Sequence, residues 1–408
     1  MQKLFYTILF LYCQVGFAQL KQQATRDSIR ISADFDCGSI GKLVESPANV
    51  LTGPTLHWKH KTSTDDQYYW FYFRMDHVQG KTVTVKLDHL SGIYRGQPHL
   101  IYTEGTRPVY SYDKKNWERI TEVSYDSSMH TLTFLKRFAK DSVWLAYAHP
   151  YSYERELEFL GSLPKNRRYL QIDTLGWSAQ SRPIRLLTIT DTTVPAADKK
   201  VVLITTLQHA GEAIGGFFVE GMTGYLLSEA ATAIESRKKI IYKIVPMMNP
   251  DGIHHGMTRL NANYEDLNQE WDDDFIDTVH APTEPEVASV KNWIRNWLQS
   301  GKKIDLALDV HSQGQQGTSN ILHAPPGVLN GLAEKLQKYW PVERIDMTFS
   351  GSANDCLVKE FQVAAGTFEI PQSAVNARSY LTIDDYHHYG SGTVQGIINY
   401  LYPTEASK

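Results

Sequence analysis

Cysteine is scarce in this chain of 408 residues, with three in all, at positions 13, 37 and 356. So few thiols exclude a disulfide framework and a thiolate metal cluster, and leave either one bridge between Cys37 and Cys356 or two buried free thiols. Long basic runs are missing and the formal charge is only −4, so neither nucleic acid nor an anionic membrane surface is an expected partner. Long apolar runs are missing too. The strongest, Leu4 to Tyr12, is shorter than the roughly 20 residues needed to cross a bilayer. It follows Lys3 and precedes the small residues Gly16 and Ala18, which is the pattern of a cleavable secretory signal over residues 1–18. A secreted or periplasmic protein without stable membrane association is therefore expected. Tyr12 stands where a lipoprotein signal needs a small residue, which argues against a lipid anchor on Cys13.

What is present changes character along the chain. From Ile31 to Tyr147, runs such as QYYWFYFRM, TVTVKLDHL and SVWLAYA are broken by Gln79-Gly80, Ser91-Gly92 and Gly96-Gln97-Pro98. Short alternating runs with turn residues between them predict antiparallel strands in a β-sandwich, here over residues 19–150. Its aromatics Trp58, Trp70, Phe71, Phe73 and Trp144 read as core rather than as a sugar-binding platform. Beyond Pro150, strands alternate with helical stretches. VVLITTL (201–207) leads into a helix starting at or near Glu212, IIYKIVPMM (240–248) precedes a helical PEVASVKNWIRNWLQ (285–299), and IDLALDV (304–310) follows. That order predicts an α/β domain over residues 151–408, with the boundary near 148–160.

Chemistry-bearing residues cluster at strand ends. VVLITTL runs into His209-Ala-Gly-Glu212 and IDLALDV ends at His311. Catalytic zinc takes three protein ligands and keeps a position for water, and two histidines with a glutamate form one such set. A His-x-x-Glu pattern alone arises by chance in a chain with 15 His and 45 acidic residues. Position strengthens it, because in open α/β sheets the ligand crevice lies beyond the carboxyl ends of the strands. His209, Asn249, His311 and Glu369 all fall there. The pairs His254-His255 and His387-His388 are expected at the surface or lining a pocket, since neighbours on an extended backbone point apart.

The ordered run His209-Ala-Gly-Glu212, Pro246-Met-Met-Asn-Pro-Asp-Gly252, Asp266-Leu-Asn-Gln-Glu-Trp271 and Asp309-Val-His-Ser312 resembles the zinc metallocarboxypeptidase family. The likeness is to the cytosolic carboxypeptidase branch, whose N-terminal β-sandwich is similar to WFYFRM (70–75) and LAYAHPYSYE (145–154). The resemblance implies a three-layer α/β/α catalytic domain with a mixed, mainly parallel sheet. It implies one Zn2+ held by His209, Glu212 and His311, with Asp266 fixing the tautomer of the first histidine. Arg259 would polarise the scissile carbonyl. Glu369, in Gly366-Thr-Phe-Glu-Ile370, would take the proton of the zinc-bound water. A peptide or an amide-containing small molecule is the implied substrate.

One position departs from the family. Where its Asp-Leu-Asn-Arg motif grips the substrate's terminal carboxylate, this chain has Asn268-Gln269. A charge-assisted hydrogen bond contributes about 1.5 to 3 kcal/mol against roughly 0.5 to 1.5 for a neutral one, so the loss weakens carboxylate binding about tenfold. Either another cation such as Arg378 takes over, or the substrate carries a neutral group and the enzyme is an amidase, an esterase or another peptidase. Tyr380 is a candidate for closing the pocket. A non-catalytic binding protein is the remaining alternative, disfavoured by the intact ligand set and Glu369.

Overall fold

The computed structural model describes residues 28–164, 168–272, 284–375 and 379–403. The expected signal, residues 1–18, and Arg378 lie outside the described residues.

Two five-stranded sheets make up most of the N-terminal part. One has the order Arg30–Ser32, Tyr72–Asp76, Val143–Ala146, Val109–Ser111, Trp117–Arg119, and the other Val123–Asp126, Thr131–Arg137, Thr82–Asp88, Val50–Pro54, Val44–Ser46. Alternation does the folding. Thr82–Asp88 buries Val83, Val85 and Leu87 between more exposed residues, as a strand with one face on a core must. Phe71 and Phe134 bridge the sheets with ring centroids 6.2 Å apart. Pairing is antiparallel throughout the first sheet, but Val50–Pro54 runs parallel to Thr82–Asp88, which strand-length patterns could not signal. Trp70, Phe71 and Phe73 are core residues. Trp144 is half-buried under the Arg74 guanidinium. A small third sheet, Trp58–Lys59, Asp66–Gln67, Gly92–Tyr94 and Gln97–His99, projects towards the second half of the chain.

The second half is built on eight strands, β1 (Leu170–Trp177), β2 (Pro183–Ile189), β3 (Lys200–Thr206), β4 (Ile240–Val245), β5 (Leu306–Ser312), β6 (Ile321–Ala324), β7 (Glu343–Asp346) and β8 (Ala365–Ile370). Their order in the sheet is β1-β2-β4-β3-β5-β8-β6-β7. The centre from β4 to β8 is parallel, and the β1–β2, β2–β4 and β8–β6 pairs are antiparallel. Strands β3, β4 and β5 are almost continuously apolar and buried, as strands covered on both faces must be. Helices Ile214–Leu226 and Ile383–Leu401 cover one face, and Pro285–Gln299 and Ala353–Lys359 the other. This is the three-layer α/β/α arrangement. Cys37 and Cys356 are both free and buried, so the bridge does not form.

Helix Ile214–Leu226 starts two residues later than expected. Residues 209–213 form a turn instead, and Gly211 makes it possible. Its N–H donates to the Thr258 carbonyl at 2.7 Å, and a Cβ there would lie 2.6 Å from that oxygen. Leu207, just past β3, has φ +58°, a left-handed conformation uncommon for a non-glycine residue. This sharp exit turns the chain so that His209 and Glu212 come back over the strand ends.

Candidate metal and catalytic site

Three adjacent parallel strands deliver the site. Past the end of β3 come His209 and Glu212, at the end of β5 comes His311, and at the end of β8 comes Glu369. His311 and Glu369 are register partners across β5 and β8, so the two side chains rise from the sheet side by side. Ligand atoms of His209, Glu212 and His311 lie within 4.8 Å of one another, and all three residues are buried. His209 Nδ1 is 2.8 Å from Glu212 Oε1, His311 Nδ1 is 2.9 Å from Oε2, and the two Nδ1 atoms are 3.1 Å apart.

The outer nitrogens determine what the inner ones can do. His209 Nε2 lies 3.1 Å from Asp266 Oδ1, and His311 Nε2 lies 2.6 Å from Asp309 Oδ2. An ionised carboxylate only accepts, so each Nε2 carries the hydrogen and each Nδ1 turns a lone pair inward. Burial opposes ionisation of Asp266, but Arg259 and His209 outweigh it and hold the carboxyl well below its usual range. A buried carboxylate facing two inward lone pairs requires positive charge at their centre. The donor set therefore fits a divalent cation of zinc's preference for nitrogen and carboxylate oxygen.

Around this centre the network is closed. Asp309 also accepts from Thr205 Oγ1 at 2.7 Å and from Gln208 Nε2 at 2.6 Å, and Trp271 Nε1 donates to Gln208 Oε1 at 2.8 Å. Asp266 accepts from Arg259 Nε at 2.6 Å and Gln269 Nε2 at 2.8 Å, and from the Asn268 N–H at 3.1 Å. It is thus both the capping residue of the turn Leu267–Gln269 and the partner of His209. Asn268 Oδ1 accepts from the Ala353 N–H at 3.0 Å.

Glu369 is different. Its carboxylate has no hydrogen-bond or ion-pair partner among the described residues, and it lines a cavity of ≈ 430 Å³ together with His209, Glu212, Arg259, Asn268 and Gln269. Burial and the nearby Glu212 push its carboxyl up to about 7.

Other expected residues fall elsewhere. Asn249 braces the backbone, donating to the carbonyls of Gln208 and Leu260 and accepting from the Gly252 N–H. His254, His255, His387 and His388 bond Asp36, Gln180, Glu220 and the Tyr339 carbonyl, none of them among the residues that line the cavity. Tyr380 is 43% exposed and outside the cavity lining, with the Arg119 guanidinium over its ring at 5.2 Å.

Some site residues were not anticipated. Asp309 stands two before His311 on a strand, hence on the same face, a signal that was there to be read. Tyr94, Arg95 and His99 line the cavity from the small third sheet. No local pattern reports that, since it depends on how the two halves dock.

Comparison with known proteins agrees with this architecture. Residues 31–148 match the model of the cytosolic carboxypeptidase N-terminal domain, and residues 158–323 match that of zinc carboxypeptidase. The second match contains His209, Glu212, Arg259, Asp266 and His311, and Glu369 lies beyond it. The chain is 31% identical to cytosolic carboxypeptidase 6 of Homo sapiens over 258 residues, 60% of this chain and 49% of that protein. With the Mus musculus protein of the same name it is 30% identical over 306 residues, 71% and 54% of the two chains. It thus spans about half the length of the curated relatives it matches. Among solved structures, a metallo-carboxypeptidase from Burkholderia cenocepacia has the same fold, with a TM-score of 0.77 at 23% identity over 92% of this chain and 99% of that one.

These relatives correct one expectation. A secreted or periplasmic address was read from residues 1–18, but the matched curated proteins are by name cytosolic. An apolar run as short as Leu4 to Tyr12 does not by itself specify export. Fold, ordered motifs and two matching domain models together establish that this chain belongs to the zinc carboxypeptidase family, with the N-terminal domain of the cytosolic carboxypeptidases.

Proposed function

We propose that this protein is a metallocarboxypeptidase that hydrolyses a C-terminal peptide bond with one Zn2+ held by His209, Glu212 and His311. The observation that carries the reading is the convergence of those three side chains, each imidazole tied at its outer nitrogen to a buried carboxylate. When bound, zinc supplies a Lewis acid that polarises the carbonyl and lowers the pKa of water. Arg259, fixed by Asp266 and open to the cavity, stabilises the negative charge that develops on the carbonyl oxygen. Glu369 takes a proton from the attacking water and returns it to the leaving nitrogen.

The names of the matched relatives support a peptide substrate with a free C-terminus. Gln269 favours a second reading, an amidase, esterase or other peptidase acting on a neutral group, because its amide is committed to Asp266 and brings no charge. Rates on peptide pairs differing only in a free or amidated C-terminus decide between them. The carboxypeptidase reading expects the free acid to be preferred at least tenfold, and equal rates would overturn it.

A further inference from the structure

A substrate carboxylate needs a cation, and the family's arginine position holds Gln269. The part of the cavity wall that comes from the small third sheet supplies another. In the small third sheet, strands Gly92–Tyr94 and Gln97–His99 pair as a hairpin whose tip residues Arg95 and Gly96 have φ +49° and +70°. Two left-handed residues in succession make the tight turn whose twist matches its strands. That turn leaves Arg95 exposed at the tip, in the cavity wall.

Contacts lead from Gln269 to Arg95 in short steps. Gln269 and Arg259 donate to the same oxygen, Asp266 Oδ2. Arg259 Nη2 donates to Tyr94 Oη at 3.3 Å, and its guanidinium carbon lies 4.8 Å from the centre of the Tyr94 ring. The Arg95 guanidinium carbon is 5.5 Å from the same ring centre. One aromatic ring thus carries both cations at one corner of the cavity. Their charges are not equally free. Arg259 is paired with Asp266 at 2.6 Å, whereas Arg95 has no acidic partner among the described residues. His99, on the same hairpin, is lowered to about 4 by burial and by Arg259, so it is neutral at pH 7.

We propose that Arg95 is a specificity-determining residue that binds the substrate's terminal carboxylate in place of the arginine that Gln269 replaces. This deepens the carboxypeptidase reading and rests on it. The N-terminal half of the chain then forms part of the substrate site, and specificity is set where the two halves meet.

The test is kcat and KM on the free-acid and amidated peptides for the zinc-loaded wild type, Arg95→Gln, and Arg95→Gln combined with Gln269→Arg, with zinc content measured on each. The expected result is a preference for the free acid in the wild type that falls roughly tenfold in Arg95→Gln, the loss carried by KM, and recovers in the double variant. Recovery separates charge recognition from damage to the hairpin. A wild-type preference that persists undiminished in Arg95→Gln would overturn the proposal and leave the carboxypeptidase reading standing. Absence of any wild-type preference would overturn both.

Discussion

Glu369 and His311 stand opposite each other on neighbouring strands, one without a hydrogen-bond partner among the described residues and the other inside a closed network. That contrast predicts opposite consequences for substitution. Replacing Glu369 with Gln removes the proton acceptor but none of the three converging ligands, so turnover should fall 10²- to 10⁴-fold while zinc content stays near one per chain. Parallel rate and metal assays check this, and loss of zinc in Glu369→Gln would show that Glu369 is itself a ligand. Asp309→Asn should do the reverse. The Asp309 carboxylate fixes which nitrogen of His311 faces the centre, and losing such an outer partner typically costs 10- to 100-fold in metal affinity. Competition against a chelator of known affinity measures that change, and an unaltered affinity would mean that the imidazole is oriented without the Asp309 carboxylate.

At the scale of elements, the segments joining the two halves carry unusual polar groups. Arg119, on the strand Trp117–Arg119, donates to the carbonyls of Arg107, Gln372 and Leu381, the last two flanking the β-hairpin that begins at Ala374. Truncation to Ala leaves those acceptors without a donor and should cost about 2 to 4 kcal/mol, read as a lower Tm. Glu156, on the helix Tyr153–Ser162, is 2% exposed, and burial, only partly offset by Arg185, pushes its carboxyl up to about 8. Folding thus favours its protonated form. The stabilisation is fully present below the unfolded value of roughly 4.3 and is lost as pH rises through about 8. Glu156→Gln should gain Tm over the wild type between pH 5 and 9, by an amount equivalent to at most roughly 4 kcal/mol. A Tm difference constant across that range would exclude this account.

For the whole molecule, one apolar cluster runs without a break from the sandwich residues Phe71, Val85 and Leu132 to Ile204, Leu308 and Phe368 of the sheet. Interdomain bonds such as Trp70 N–H to Thr258 Oγ1 and Arg107 N–H to Gln315 Oε1 reinforce it. Calorimetry should therefore record one cooperative transition, and two separable transitions would contradict a shared core. The parts legible in the sequence were those with local causes. Strand-end histidines, buried apolar runs and the Pro285–Gln299 helix follow from periodicity and turn chemistry. The late start of the helix at Ile214 was hidden because it depends on Gly211 closing onto Thr258, and the cavity wall from Tyr94 to His99 because it depends on docking. Export was misread because a short apolar run has more than one cause. The central claim is a zinc-dependent hydrolysis, and its most direct test is turnover of a free-acid peptide by protein stripped of metal and then reloaded, with zinc counted at each stage. The account predicts that activity and about one zinc per chain disappear and return together. Full turnover by the stripped protein, or no zinc uptake on reloading, would contradict it.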